Sequence, residues 1–512
     1  MLATLISLSP TLMEGALSGI WKWNAKCTAL PPHPVKELVT SEKLQEQITL
    51  EGLMAGAAKL QAIADANGGN RVFGSPGHEA TVDYLIDTLS ALNYYNVTKQ
   101  PFEELFSDGS AEFVVGGNSI EARIMTYTPA GTFDRPIVAA SNLGCTPEDY
   151  PAEVAGNIAL ISRGECTFAA KSTAAKAAGA AAAVIYNNVA DGILSGTLGE
   201  ASDLYAPVVG ITQADGQAIL ASLEAGETTG QLTVKSIMEM RTTYNVIAET
   251  KEGDHDNVLV LGGHTDSVIA GPGINDDGSG TIGVLNVAIA LSKFKIKNAI
   301  RFGFWSAEEY GLLGSYAYIK SVNSSEAEVA KMRGYLNADM IASPNYIYGI
   351  YDGNGDAFGL EGPPGSDVIE KDFEEFFASK GVPSVPTEFS GRSDYAAFIE
   401  NGVPSGGLFT GAEGIMTEEE AALFGGKAGV AYDVNYHAIG DTIDNLAQDA
   451  FLLNTQAVAH SVAKYANSFD SMPAVKPVER RWSADRAQFR KRAEMGAHSH
   501  GHSGPCGEKV RK

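Results

Sequence analysis

Basic side chains are scarce in this sequence: lysine and arginine total 37 against 62 aspartates and glutamates, a net charge of −25. A nucleic-acid partner requires a basic footprint to neutralise phosphates, and so does an anionic membrane surface, so both are excluded as expectations. Cysteine is also scarce, with 4 residues, too few for a fold built on disulfides. Long apolar runs are missing after the N-terminal segment. None reaches the ~20 residues needed to span a bilayer.

What is present fits a soluble globular protein, with 44% hydrophobic and 19% charged residues. Its 512 residues exceed one ordinary core and imply at least two folding units. The acidity is read as that of a soluble extracellular protein. Cys145 and Cys166 lie close in one segment, and a bridge between them would close a loop of about 20 residues, contributing on the order of 3 kcal/mol. Cys27 and Cys506 sit near the two ends, and their pairing is left open. Asn96-Val97-Thr98 and Asn323-Ser324-Ser325 are glycosylation acceptor triplets, with Asn96 and Asn323 as the candidate sites.

The ends stand apart in texture. Residues 1–34 read as a leader or propeptide-like segment. Met1 to Leu17 is apolar but carries Glu14 and has no preceding basic residues, and Cys27-Thr28-Ala29 resembles a processing site. Residues 473–512 form a basic tail with Arg480-Arg481 and Arg490-Lys491-Arg492, then His498, His500 and His502, expected to be disordered.

Between the ends, three regions are expected. Residues 35–108 open with a helical pattern from Ser41, in which Leu44, Ile48, Leu53, Leu60 and Ile63 share a face. A second helix follows over 78–92, with strand-like sequence from Tyr94. Residues 109–238 alternate short β-rich runs with turns, an Ala-rich helix over 168–178 and another over 213–223, which reads as an inserted module. Residues 239–472 repeat strand, loop and helix. Val258-Leu259-Val260-Leu261 and Ile300 to Trp305 are continuous apolar runs, as strands buried on both faces are. The fold class is therefore α/β, with a mostly parallel centre.

Five segments of the last region place metal-suited side chains at strand ends or in loops. His264 follows the 258–261 strand directly, at the carboxyl end where α/β sheets gather ligands. Asp266, two residues on, is placed to accept the other imidazole N–H. Asp276, in Asn275-Asp276-Asp277-Gly278-Ser279-Gly280, has two oxygens able to bridge two cations. Glu308 and Glu309 are adjacent and point apart, so one can bind metal while the other faces a reacting water. Asp339 lies in Leu336-Asn337-Ala338-Asp339-Met340, and His437 in Tyr436-His437-Ala438. Singly, each has an ordinary explanation as a turn, a cap or a solvated charge. Jointly they form a mixed nitrogen and oxygen set suited to zinc.

These segments, in this order, resemble the M28 family of zinc aminopeptidases, including fungal secreted leucine aminopeptidases and vacuolar aminopeptidase Y, across residues 40–470. The stretch with Asn157 to Gly164 and Cys166-Thr167-Phe168 resembles a protease-associated (PA) domain, in which the cysteines matching Cys145 and Cys166 are commonly bridged. The resemblance implies a three-layer zinc-peptidase fold with a mixed, centrally parallel sheet and an inserted β-rich PA domain. It implies two zinc ions, one held by His264 and Asp339, the other by Glu309 and His437, with Asp276 bridging and a cis peptide after it. Glu308 would be the general base, and Tyr436 would hydrogen-bond the tetrahedral intermediate. Arg392 and Phe409 would line the substrate pocket.

The implied activity is removal of N-terminal residues, preferably apolar ones such as leucine, from peptides with a free N-terminus. The protein is expected to act as a secreted monomer, with the vacuolar lumen as the alternative. Three rivals remain: a carboxypeptidase, which needs a basic patch for the substrate carboxylate; a glutaminyl cyclase, with one zinc and no PA insert; and a non-catalytic receptor, whose ligands are usually lost.

Overall fold

The computed structural model describes residues 36–473 apart from Asp191 and Ser324. The leader with Cys27, the tail with its histidines and Cys506, and Ser324 of the second acceptor triplet lie outside the described residues.

The strand Asp254–His264 shows why the centre of the sheet has helices on both sides. Leu259 and Leu261 enter one core, with helices Leu50–Ala66, Pro76–Ala91, Gly278–Leu291 and Gln448–Asn467. Val258 and Val260 enter the opposite core, with helices Leu313–Val322 and Tyr395–Ile399. Alternate side chains of an extended strand point to opposite faces, so an unbroken apolar run can be stable only when both faces are covered. The result is three layers.

That strand pairs in parallel with Asn298–Trp305 on one side and with Met332–Ala338 on the other. Met332–Ala338 in turn pairs in parallel with Ser405–Phe409. Thr229–Thr250 joins antiparallel beyond Asn298–Trp305, and Gly349–Tyr351 joins antiparallel to Ser405–Phe409. The sheet is mixed with a parallel centre.

The helical pattern from Ser41 is divided between two helices, Ser41–Glu46 and Leu50–Ala66. Thr49 ends the run because its hydroxyl accepts from Gly52 N at 3.1 Å, capping a new helix. Leu44, Ile48, Leu53, Leu60 and Ile63 are nonetheless all buried in one core, so the shared face survives the break.

Two long strands, Tyr95–Val115 and Thr229–Thr250, pair antiparallel from Tyr95 opposite Thr250 to Val115 opposite Gly230. They run out of the main sheet into the insert, so residues 109 and 238 fall inside a continuous ribbon. In the insert, Gly131–Ala139 pairs antiparallel with Thr229–Thr250 and so continues the sheet into a parallel set with Ile158–Ser162, Ala182–Tyr186 and Val208–Ile211, packed by separate apolar clusters. Cys145 and Cys166 are joined by a disulfide there.

Candidate metal centre

The register of the parallel strands brings the candidate ligands to one edge. Gly262 lies opposite Asn337 and His264 opposite Trp305, so the strand that ends in His264 and those that lead to Glu308 and Asp339 end level with one another. Asp277 then fastens three elements with one carboxylate. Its Oδ1 accepts from Gly280 N (2.8 Å), capping the helix Gly278–Leu291, and from Met340 N (3.0 Å); its Oδ2 accepts from His264 N (3.0 Å). The Asp276–Asp277 peptide is cis.

His437 comes from a loop far along the chain. Asp441, four residues on, closes that loop onto the segment carrying Asp276 by accepting from Asn275 N at 2.7 Å and Asp276 N at 3.0 Å. Burial, reinforced by the charge of Asp433, pushes the Asp441 carboxyl up to about 8. Three residues at the centre have left-handed backbone that non-glycine residues seldom adopt: Ala307 (φ 58°), Met340 (φ 50°) and His437 (φ 54°). Such strain persists where surrounding contacts enforce it, and here it aims Glu308, Asp339 and His437 inward.

The five candidate ligands fall into two triads that share Asp276. His264, Asp276 and Asp339 form one, and Asp276, Glu309 and His437 the other, with ligand atoms within 4.8 Å of one another in each. His264 Nε2 is 3.2 Å from Asp276 Oδ1 and 3.8 Å from Asp339 Oδ1. His437 Nε2 is 3.1 Å from Asp276 Oδ2 and 2.8 Å from Glu309 Oε2. Yet His437 Nε2, Asp276 Oδ2 and Glu309 Oε1 are buried without any hydrogen-bond partner. Buried polar atoms are ordinarily satisfied, and convergent donor atoms without partners fit cations between them. Two imidazoles and three carboxylates are a donor set that zinc accepts.

A third acidic cluster, Asp352, Asp356 and Glu370, differs in kind. Asp352 accepts from the amides of Gly355, Ala357 and Phe358, and Glu370 from those of Gly353 and Asn354, so these carboxylates tie a loop together.

Glu308 is only 5% exposed, and its Oε2 sits 3.7 Å from His264 Nε2. Burial raises its carboxyl well above the usual range; His264 opposes this, while Asp339, Glu309 and Asp394 add to it. Asp266 Oδ1 faces His264 Nδ1 at 3.6 Å, too long for a hydrogen bond, and accepts from Glu308 N at 3.1 Å. It thereby fixes the backbone of Glu308 while lying beside the imidazole.

Tyr436 stacks on His437, ring centroids 3.8 Å apart. Arg392 reaches the Tyr436 hydroxyl at 3.2 Å and Glu413 at 2.8 Å. Phe409 ends the strand next to the one that leads to Asp339, since Ala338 lies opposite Leu408, and its half-buried ring stacks near Tyr351. Asn96 is exposed on its strand, and Asn323 is exposed just past the helix Leu313–Val322.

Much of the support came from residues to which the sequence alone assigned no role. Trp305 Nε1 donates to Tyr335 Oη (3.0 Å), which donates to Asn337 Oδ1 (3.0 Å); Asn337 Nδ2 donates to Ser393 Oγ (2.8 Å), which bonds Asp339. Arg71, fully buried, donates to the carbonyls of Pro272 and Gly273 and also to that of Thr265, so it holds the loop between His264 and Asp276. His78 Nε2 bonds Thr265 Oγ1 at 2.8 Å. The only sequence signal for these was a polar residue beside, or a few places from, a ligand or helix start.

Residues 245–462 match the model of peptidase family M28, and residues 133–219 match that of the PA domain. The chain is 53% identical to the probable leucine aminopeptidase 2 of Aspergillus fumigatus, covering 91% of this chain and 92% of that one. It is 49% identical to leucine aminopeptidase 2 of Arthroderma otae, over 91% and 94% respectively. Among solved structures, an aminopeptidase from Aneurinibacillus sp. strain AM-1 superposes with TM-score 0.69 at 28% identity, over 86% of this chain and 99% of the other.

Proposed function

The chain belongs to peptidase family M28 and is a zinc metallo-aminopeptidase, and from that premise we propose that it uses two zinc ions to release apolar N-terminal residues such as leucine from peptides. The observation that carries this reading is the pair of ligand triads joined at Asp276, in the second of which His437 Nε2, Asp276 Oδ2 and Glu309 Oε1 make no hydrogen bond. His264 and Asp339 would hold one zinc, Glu309 and His437 the other, and Asp276 both.

When bound, such ions lower the pKa of a water towards ~7 and polarise a carbonyl oxygen. Glu308, buried and raised in pKa, would take the proton of the attacking water and deliver it to the leaving amine. Asp266 keeps Glu308 in place through its backbone N–H. Tyr436 would donate a hydrogen bond to the oxyanion of the tetrahedral intermediate. The acidic surroundings favour a substrate α-ammonium, which selects the free N-terminus, and Phe409 offers an apolar surface for the first side chain. The carboxypeptidase alternative needs a cation for the substrate carboxylate, and Arg392 is instead engaged by Glu413 and Tyr436. No helix among the described residues is long and apolar enough to cross a membrane, and with fungal leucine aminopeptidases as relatives we infer an extracellular site of action.

The test pairs metal analysis with substrate choice. Two zinc ions per chain are expected, with release of the chromogenic amine from leucyl-p-nitroanilide and none from its N-acetyl form. One ion per chain, or equal turnover of the blocked substrate, would refute the reading.

A further inference from the structure

The segment around Glu413 runs beside the stem of the loop that carries Tyr436 and His437. Tyr432 N donates to Gly414 O (2.8 Å), Asp433 N to Ala412 O (2.8 Å), and Ile415 forms a bridge with Ala431. Glu413 Oε1 accepts from Arg392 Nη1 at 2.8 Å, with the two side chains only 16% and 15% exposed. A guanidinium facing a carboxylate commonly makes two parallel bonds. Here the fork is divided. Arg392 Nη2 goes to the Tyr436 hydroxyl at 3.2 Å, and Glu413 Oε2 is buried with no partner.

That division has a consequence for Tyr436. A phenol oxygen that accepts from a guanidinium turns its own proton away from it. The ring is held at the same time by its stack on His437, at an interplanar angle of 22°. Both the position of the oxygen and the direction of its O–H are thus set by neighbours before substrate arrives. A donor oriented in advance stabilises a developing oxyanion more than one that must reorient.

We propose that Glu413 is a positioning residue: acting through Arg392, it fixes the Tyr436 hydroxyl as the donor to the oxyanion. The inference rests on the role given to Tyr436 above, and it makes Arg392 part of the anchor, not a contact to substrate.

A double-mutant cycle tests it on the full-length zinc enzyme with leucyl-p-nitroanilide. Tyr436→Phe is expected to lower kcat by roughly 100-fold. Glu413→Ala is expected to lower kcat by about 10-fold with KM within about 2-fold, and to add nothing in the Tyr436→Phe background, because both changes remove one donor. Glu413→Gln keeps an oxygen acceptor for Arg392 and should recover most of the lost turnover. If Glu413→Ala does not fold, Glu413→Gln and Arg392→Lys are run through the same cycle, the lysine losing the forked contact. Equal losses from Glu413→Ala in both backgrounds, or a raised KM at unchanged kcat, would overturn the anchor alone. Full turnover by Tyr436→Phe would remove the phenol's role and the anchor with it, which is a separable result.

Discussion

Glu308 and Glu309 are neighbours in sequence, yet their surroundings differ. Glu309 Oε2 lies 2.8 Å from His437, whereas Glu308 reaches no closer than 3.7 Å to His264 and is anchored through its backbone by Asp266. The left-handed backbone at Ala307 turns the pair so that both enter the centre. Glu308→Gln should retain the zinc content and the melting temperature of the parent while kcat falls by ~10²–10⁴-fold. Steady-state kinetics with parallel metal analysis decide this, and near-normal kcat would remove the base assignment.

His78 carries a different prediction. Burial lowers its pKa from 6.5 to about 4, so the folded protein binds fewer protons than the unfolded chain between those values. Stability is therefore full above pH 6.5 and declines as pH falls towards 4, by on the order of 3 kcal/mol. Denaturant unfolding across this range should show the slope, and His78→Gln should flatten it. An unchanged slope in the variant would show that other groups cause the acid sensitivity.

At the scale of elements, the helix Gly278–Leu291 lies close against the end of the Met332–Ala338 strand. A Cβ on Gly280 would sit 2.0 Å from Ala338 O and 2.4 Å from Asp277 Oδ1. Gly280→Ala must push the helix off the strand that positions Asp339, costing about 1–3 kcal/mol and weakening zinc retention. Thermal unfolding and zinc content after dialysis test it; parental values for both would mean the approach is not needed.

The insert is stabilised in another way, by a bridge closing a sequence separation of 21 residues. Removing it with Cys145→Ser and Cys166→Ser should cost about 3 kcal/mol locally. Hydrogen exchange should rise across 140–170, while leucyl-p-nitroanilide turnover stays at the parental level. Loss of turnover would mean that the insert is coupled to the centre.

Elements were legible in the sequence where one pattern dominated. The runs at 258–261 and 300–305 read as doubly buried strands because both faces are covered. Thr49 escaped notice because the apolar spacing continues across it, although its hydroxyl starts a new helix. The edges of the insert are hidden in the two long strands, where hydrogen bonding continues without a turn to mark a border.

For the molecule as a whole, the dense carboxylate cluster makes stability depend on the cations it would hold. A ligand that binds only the folded state stabilises it by RT ln(1 + [L]/Kd), about 4 kcal/mol at a thousandfold excess over Kd. Chelation should therefore lower the melting temperature, and added zinc should restore both stability and turnover. A protein shown to be free of zinc that melted at the original temperature would contradict this coupling.

The sequence by itself determined which side chains are candidates for the centre, because two imidazoles and three carboxylates at strand ends and loops narrow what such a set can hold. It also determined the layered α/β core, since apolar runs buried on both faces demand helices above and below. Only the tertiary structure decided what supports the centre: the Ser393–Asn337–Tyr335–Trp305 chain behind Asp339, Arg71 on the carbonyls of the 265–273 loop, Asp441 on the amides of Asn275 and Asp276, and Glu413 behind Arg392. Hydrogen bonds between positions as far apart as Arg71 and Gly273 follow no sequence period. Their partners are chosen by how the sheet and its loops close in space.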